Sequence, residues 1–314
     1  MMSWEHINRQ TAVRARPSSY IGRFAPSPTG PLHFGSLVAA LGSWLDAHAQ
    51  GGRWAVRIDD LDRPRNVPGA DGSILRTLDG FGLWWDGPVA YQSKREEAYR
   101  AALVHLQRAG LAFPCGCSRR EISRTGRLGP AGYIYPGTCR AGRPIDRPLR
   151  SWRMLSRSAP IRFQDRACIG IQEMDLERMV GDFVICRADG LYAYHLASVV
   201  DDAALGVTDV VRGGDLLNCA PPQILLQRKL GLPTPRYLHL PVARDTEGKK
   251  LSKQTQAPPV HPHRAGAWLH SALAFLRQAP PAELRAAPPG ELLGWALRHW
   301  RPQRLLNPPA AFWP

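Results

Sequence analysis

Between Tyr20 and Ile58 the apolar positions change period twice. Ile21 to Ala25 is a short mixed run that reads as a strand, and Pro26, Pro28, Gly30 and Pro31 then forbid a regular element. Leu37, Leu41, Trp44, Leu45 and His48 recur at helical spacing until Gly51-Gly52 stops them. Trp54-Ala-Val-Arg-Ile58 predicts a buried strand, which runs into Asp59, Asp60 and Asp62. Helical stretches follow over 74–81 and 95–109. Strand, loop, helix and strand in this order predict a parallel α/β sheet with its chemistry at the carboxyl ends of the strands.

The rhythm breaks over residues 113–190, which hold a Cys cluster, many Gly, Pro and Arg positions, and short strand-like pieces at Ile161-Arg-Phe and Asp182-Phe-Val-Ile-Cys. It resumes at Tyr192 to Val211, with a helix at Gln223 to Leu230 and a strand near Tyr237 to Val242. Two helical runs remain beyond it, Ala267 to Leu276 and Glu291 to Trp300, and the Pro-containing ends read as linkers. The expected division is an extension (1–22), a first half of the catalytic sheet (23–112), an insertion (113–190), a second half (191–254) and a short helical segment (255–314).

Composition narrows the class. With 314 residues, 44% of them apolar, the chain can bury a sizeable core. No apolar run reaches the ~18 residues of a membrane span, and the Arg-containing first 22 residues lack the apolar stretch of a secretory signal, so the expected setting is cytoplasmic. Six cysteines there argue for reduced thiols or a metal. Lys and Arg total 41 against 26 Asp and Glu, a net charge of +15 that suits a polyanionic partner. Arg outnumbers Lys 36 to 5, yet Lys249, Lys250 and Lys253 cluster, as a site needing a compact ammonium would require.

The segment Arg23-Phe-Ala-Pro-Ser-Pro-Thr-Gly-Pro-Leu-His-Phe-Gly-Ser36 runs a Gly/Pro loop into a helix start. Unpaired amides and the positive dipole end there suit a triphosphate, with His33 and Ser36 as added donors and Gly35 allowing close approach. The spacing is neither a Walker loop nor a G-x-G-x-x-G fingerprint.

Pro26-Ser-Pro-Thr-Gly-Pro-Leu-His-Phe-Gly-Ser36 resembles the HIGH-type motif of class I aminoacyl-tRNA synthetases in its glutamyl form. Lys250-Leu-Ser-Lys-Gln254 resembles the KMSKS-type loop of that class. Arg57-Ile-Asp-Asp-Leu-Asp62 and the run from Asp201 to Gly213 are also similar to glutamyl-enzyme segments. The resemblance covers roughly residues 20–255 and implies a Rossmann-type catalytic domain with a zinc-containing insertion. Residues 255–314 are too few for the helical anticodon-reading domain of conventional members. The chain is therefore similar to a short branch of the family that activates glutamate without tRNA and esterifies it to the queuosine base at the wobble position of tRNA(Asp). The alternatives are another adenylate-forming nucleotidyltransferase, or a catalytically silent zinc- and RNA-binding relative.

The resemblance assigns glutamate contacts to Arg23, Phe24, Ala25, Pro26, Ser27, Asp59, Tyr194 and Arg212. The two guanidinium groups would take the side-chain carboxylate, Asp59 the ammonium, and Tyr194 would donate its hydroxyl. Asp60 and Asp62 would hold the loop in shape. For ATP, which brings Mg²⁺, it implies His33, Gly35, Ser36 and Lys253, with His33 and Lys253 as the catalytic pair. Ser36 replaces the second His of the HIGH pattern and Gln254 ends the second motif.

Cys115, Cys117 and Cys139 offer three thiolates for one structural zinc per chain. No fourth Cys or His lies among them. The resemblance supplies Tyr135 as a fourth ligand, with Tyr133 its nearby rival. The expected partners are ATP, L-glutamate and a queuosine-bearing tRNA(Asp), with no membrane and a monomeric chain.

Overall fold

The computed structural model describes residue 4 and residues 20–129, 132–167, 171–243 and 258–305. The catalytic body starts with strand β1 (Ile21–Phe24), helix α1 (Phe34–His48), β2 (Arg53–Ile58), α2 (Ala70–Gly80), β3 (Ala90–Tyr91) and α3 (Glu96–Arg108). β1, β2 and β3 pair in parallel, in that order. Farther along the chain lie β4 (Ala112–Cys115), α4 (Arg119–Thr125), the β5–β6 hairpin (Leu128–Gly129, Gly132–Tyr133), β7 (Ser151–Met154), the β8–β9 hairpin (Ile161–Gln164, Ile171–Met174), α5 (Leu176–Met179) and β10 (Phe183–Arg187). Then follow α6 (Tyr194–Ala204), β11 (Asp209–Gly213), α7 (Ala220–Leu230), β12 (Arg236–Leu240), α8 (Ala265–Phe275) and α9 (Pro289–His299).

β11 and β12 form a second parallel pair, and Thr208 joins it to β1. Its amide donates to the Ile21 carbonyl at 3.0 Å and its hydroxyl accepts the Ile21 amide at 2.9 Å. The ends of β1, β11 and β12 therefore open on one side, beside the start of α1. That helix lies close to the sheet because Gly42 allows it. A Cβ there would stand 2.6 Å from Leu240 Cδ1, so the approach depends on the missing side chain.

One core gathers α1, β1 and β2 around the fully buried Leu37, Leu41, Leu45, Trp54 and Ile58, the apolar stripe legible in the sequence. The two helical runs read in the C-terminal segment form as α8 and α9, and they complete this core. Leu269, Leu273, Leu276, Leu292 and Trp300 are all buried in it, and Trp300 Nε1 donates to Asp46 of α1 at 3.1 Å. Proline sets the breaks between its helices and leaves their apolar faces intact.

A second core joins α3, α6 and α7 to an antiparallel sheet, β10-β7-β4. Strands β7 and β10, within the expected insertion (113–190), are thus packed into the body, and β4 runs across its expected start. Pro114 within β4 hides that strand from a pattern reading. Trp4, in the stretch read as a polar extension, is buried too, with Nε1 donating to the Leu230 carbonyl at 3.0 Å. No described helix is long and apolar enough to cross a membrane.

Candidate active site

The loop after β1 turns through Gly30, whose φ of 134° suits glycine, and enters α1 at His33. His33 caps the helix: its Nδ1 accepts the Ser36 amide at 3.3 Å, and its Nε2 lies 3.0 Å from Ser36 Oγ. The first turn of α1 carries no acidic side chain, so the positive helix end is left for an outside anion. Val260 donates to the Leu32 carbonyl at 2.9 Å, and Pro259 bridges to His33. Ala243 lies on the cleft wall. Both flanks of residues 244–257 thus sit beside the loop. Lys253, with the rest of the Lys cluster, lies outside the described residues.

A cleft of about 570 Å³ opens here. Its walls bring together the predicted Arg23, Phe24, Ala25, Pro26, Ser27, His33, Gly35, Ser36, Tyr194 and Arg212, and add Thr29, Arg65 and Asp215. Phosphate loop and predicted amino-acid residues therefore share one cavity.

The two arginines differ in state. Arg23, only 3% exposed, is held by Asp202, which accepts Nε at 3.1 Å and Nη2 at 3.3 Å. Asp202 also accepts Arg57 Nη1 at 2.7 Å, and Arg57 grips Asp59 through Nε at 2.6 Å and Nη2 at 3.2 Å. Burial alone would raise the Asp202 carboxyl, but Arg23 and Arg57 outweigh it and hold it below the usual range. Asp59 moves the other way, raised by burial despite Arg57. Its carboxylate is engaged behind the cleft wall, where its amide donates to the Pro26 carbonyl at 3.0 Å, and it does not line the cavity. Asp60 and Asp62 do local work: Asp60 accepts the Ser93 amide and hydroxyl, and Asp62 pairs with Arg65.

Arg212 is 5% exposed and forms no ion pair among the described residues. Its Nη1 donates to Gln223 Oε1 at 2.8 Å and to the Tyr194 hydroxyl at 3.3 Å, and its Nε donates to His239 Nε2 at 3.0 Å. Among the described residues the buried Nη2 has no partner. A buried guanidinium on a cleft wall, with one nitrogen unpaired among the described residues, is costly unless a ligand completes it. Sequence reasoning missed Asp202, Gln223 and His239. Asp202 lay inside a matched motif without a role, and alternation along β12 puts His239 on the face of Tyr237.

The cysteine cluster forms its own small core with Phe113, Ile122 and Tyr135. The three thiol sulfurs lie within 4.8 Å of one another. Cys117 Sγ is 3.7 Å from Cys139 Sγ, and the Tyr135 hydroxyl is 3.4 Å from Cys115 Sγ and 3.7 Å from Cys117 Sγ. Zinc bond lengths imply tetrahedral edges of about 3.8 Å between sulfurs and about 3.5 Å between sulfur and oxygen, and these three separations are close to those edges. Tyr133, 52% exposed on β6, is not part of the cluster. Arg140 ties the Cys139 loop to the body through Asp182 and Glu177.

An α/β sheet whose strand ends meet a Pro/Gly loop and a helix start over one cleft is the arrangement expected of a class I aminoacyl-tRNA synthetase catalytic domain. The family model for tRNA synthetases class I (E and Q), catalytic domain, matches residues 21–129 and 152–278. The chain is 54% identical over 284 residues to the glutamyl-Q tRNA(Asp) synthetase of Thiobacillus denitrificans, covering 90% of this chain and 94% of that one. It is 56% identical over 285 residues to the Dechloromonas aromatica protein of the same name, with the same two shares covered. The glutamate-tRNA synthetase of Elizabethkingia anophelis shares its fold, with a TM-score of 0.73 at 23% identity over 91% of this chain and 66% of that one. The chain belongs to the class I glutamyl and glutaminyl tRNA synthetases and, within them, to the glutamyl-Q tRNA(Asp) synthetases. It is an ATP-dependent ligase of that type.

Proposed function

We propose that this chain joins L-glutamate to AMP without tRNA and then transfers the glutamyl group to the queuosine base at the wobble position of tRNA(Asp). The observation that carries the reading is Arg212: a buried cation with one nitrogen unpaired among the described residues, on the same cavity as a helix start that carries no acidic side chain. An acidic side chain would complete Arg212, with Tyr194 donating its own proton; Asp59, held by Arg57 behind the wall, would not touch the ammonium directly. Phe24, Ala25 and Ser27 shape the wall. The α-carboxylate then attacks the α-phosphate of ATP and pyrophosphate departs. His33, Gly35 and Ser36 at the helix start, together with Lys253, stabilise the charge that spreads over the phosphates. Mg²⁺ enters with ATP. A queuosine hydroxyl next attacks the activated carbonyl and releases AMP. The setting is cytoplasmic, where such a tRNA is available.

Labelled glutamate tests the reading. With ATP, label is expected in tRNA(Asp) that carries queuosine and not in tRNA(Asp) that lacks it. The label should survive removal of the 3′-terminal adenosine. Label that requires that adenosine, or that appears equally on unmodified tRNA, would overturn it.

We also infer that Cys115, Cys117, Tyr135 and Cys139 hold one structural zinc. The expected result is one zinc per chain in protein purified without added metal. Cys139→Ser should lose the ion and make residues around 113–150 far more sensitive to protease, whereas Tyr135→Phe should weaken retention less. Metal-free protein with an unchanged digestion pattern would refute the assignment.

A further inference from the structure

We propose that Asp165 and His239 are positioning residues of the amino-acid site, a buried pair that sets the angle at which Arg212 offers its Nη2 group to the substrate carboxylate. The inference rests on reading Arg212 as the carboxylate clamp.

Both residues are fully buried. Asp165 follows β8 and reaches the catalytic sheet through a parallel bridge to Tyr237. Its Oδ1 accepts the Ala167 amide at 2.9 Å and the His239 amide at 3.3 Å, and its Oδ2 faces His239 Nδ1. A guanidinium has no acceptor, so the Nε2 that receives Arg212 Nε–H carries no proton. The imidazole proton therefore sits on Nδ1 and is donated to Asp165. Each contact dictates the next, and the orientation of Arg212 follows from the carboxylate two residues away.

The imidazole also solves a problem of stoichiometry. A carboxylate set directly against Arg212 would take Nε and Nη2 together, as Asp202 takes those of Arg23. His239 accepts through a single atom. It holds Nε and leaves Nη2, while Gln223 and Tyr194, also neutral acceptors, hold Nη1. Three neutral acceptors fix the guanidinium from two directions and none neutralises it. That arrangement keeps a rigid, charged clamp unfilled until an acidic substrate arrives.

Glutamate-dependent pyrophosphate exchange tests this in three variants, with the ATP KM and thermal unfolding as checks on the fold. His239→Leu removes the acceptor and should raise the glutamate KM about 10- to 100-fold, the range for losing one hydrogen bond to a charged group, with the ATP KM within about 2-fold. His239→Gln can accept from Arg212 and donate to Asp165, and should recover most of the loss. Asp165→Asn frees the ring to place its proton on Nε2, against Arg212, and should raise the glutamate KM while eroding the preference for glutamate over glutamine. An unchanged glutamate KM in His239→Leu or in Asp165→Asn would overturn the proposal, as would a Gln variant no better than Leu. Wild-type protein with no glutamate-dependent exchange would instead remove the clamp reading itself.

Discussion

Arg212→Ala is expected to raise the KM for L-glutamate about 100-fold or more and to leave the KM for ATP within about 2-fold. Truncating one partner of a buried charged contact costs about 2–5 kcal/mol, and each 1.4 kcal/mol is tenfold in affinity. The loss is specific because His239, Gln223 and Tyr194 hold Arg212, whereas the helix start is capped through His33 and Ser36. Arg212→Lys separates charge from geometry. A lysine keeps the positive end but cannot serve His239, Gln223 and a carboxylate in one plane, so a smaller penalty of about tenfold is expected. Exchange kinetics at varied glutamate and ATP read both numbers. Equal weakening toward the two substrates would mean a damaged fold, and lysine behaving as wild type would show that charge alone suffices.

What the sequence made legible was local. The stripe Leu37, Leu41, Trp44 and Leu45 predicted α1, and the Pro/Gly run before it predicted the cap where His33 sits. Ten of the residues assigned by resemblance meet at one cavity because motif residues are consecutive or lie at the ends of adjacent strands. The states of those residues were not legible. Asp201 and Asp202 are neighbours in sequence, yet the first meets Gln92, Arg95 and Tyr99 while the second meets Arg23 and Arg57. Successive positions on a helix point about 100° apart, and which partner each finds is set by elements about a hundred or more residues away in the chain. Asp59 illustrates the same limit. Its type and place suited an ammonium, and only the folded chain shows Arg57 already holding it. The resemblance, not the residues themselves, favoured Tyr135 over Tyr133; in the folded chain Tyr133 is exposed and Tyr135 lies among the thiols.

Asp202 gives the second large expectation. Its carboxylate is the bridge between two buried guanidinium groups, so Asp202→Ala leaves Arg23 without its anion and Arg57 with Asp59 alone, and should cost about 3–5 kcal/mol of stability. Asp202→Asn keeps the shape and should cost less. The penalty should also depend on pH, with a definite sign. Because Arg23 and Arg57 hold the folded carboxyl below its unfolded value, the stabilisation is complete above an unfolded pKa near ~3.9 and is lost as pH falls through the lower folded pKa. Asp59, raised by burial, takes up its proton earlier in that descent and loosens only the Arg57 end. Urea unfolding of wild type and Asp202→Asn should then show a wide gap at pH 7 that closes as the medium is taken below about 4. A gap that stays constant would place the cost in lost packing. A closing gap would instead identify the Arg23–Asp202–Arg57–Asp59 chain as the electrostatic frame that keeps the β1 end of the cleft in register with α6, and with it the distance between phosphate loop and amino-acid clamp.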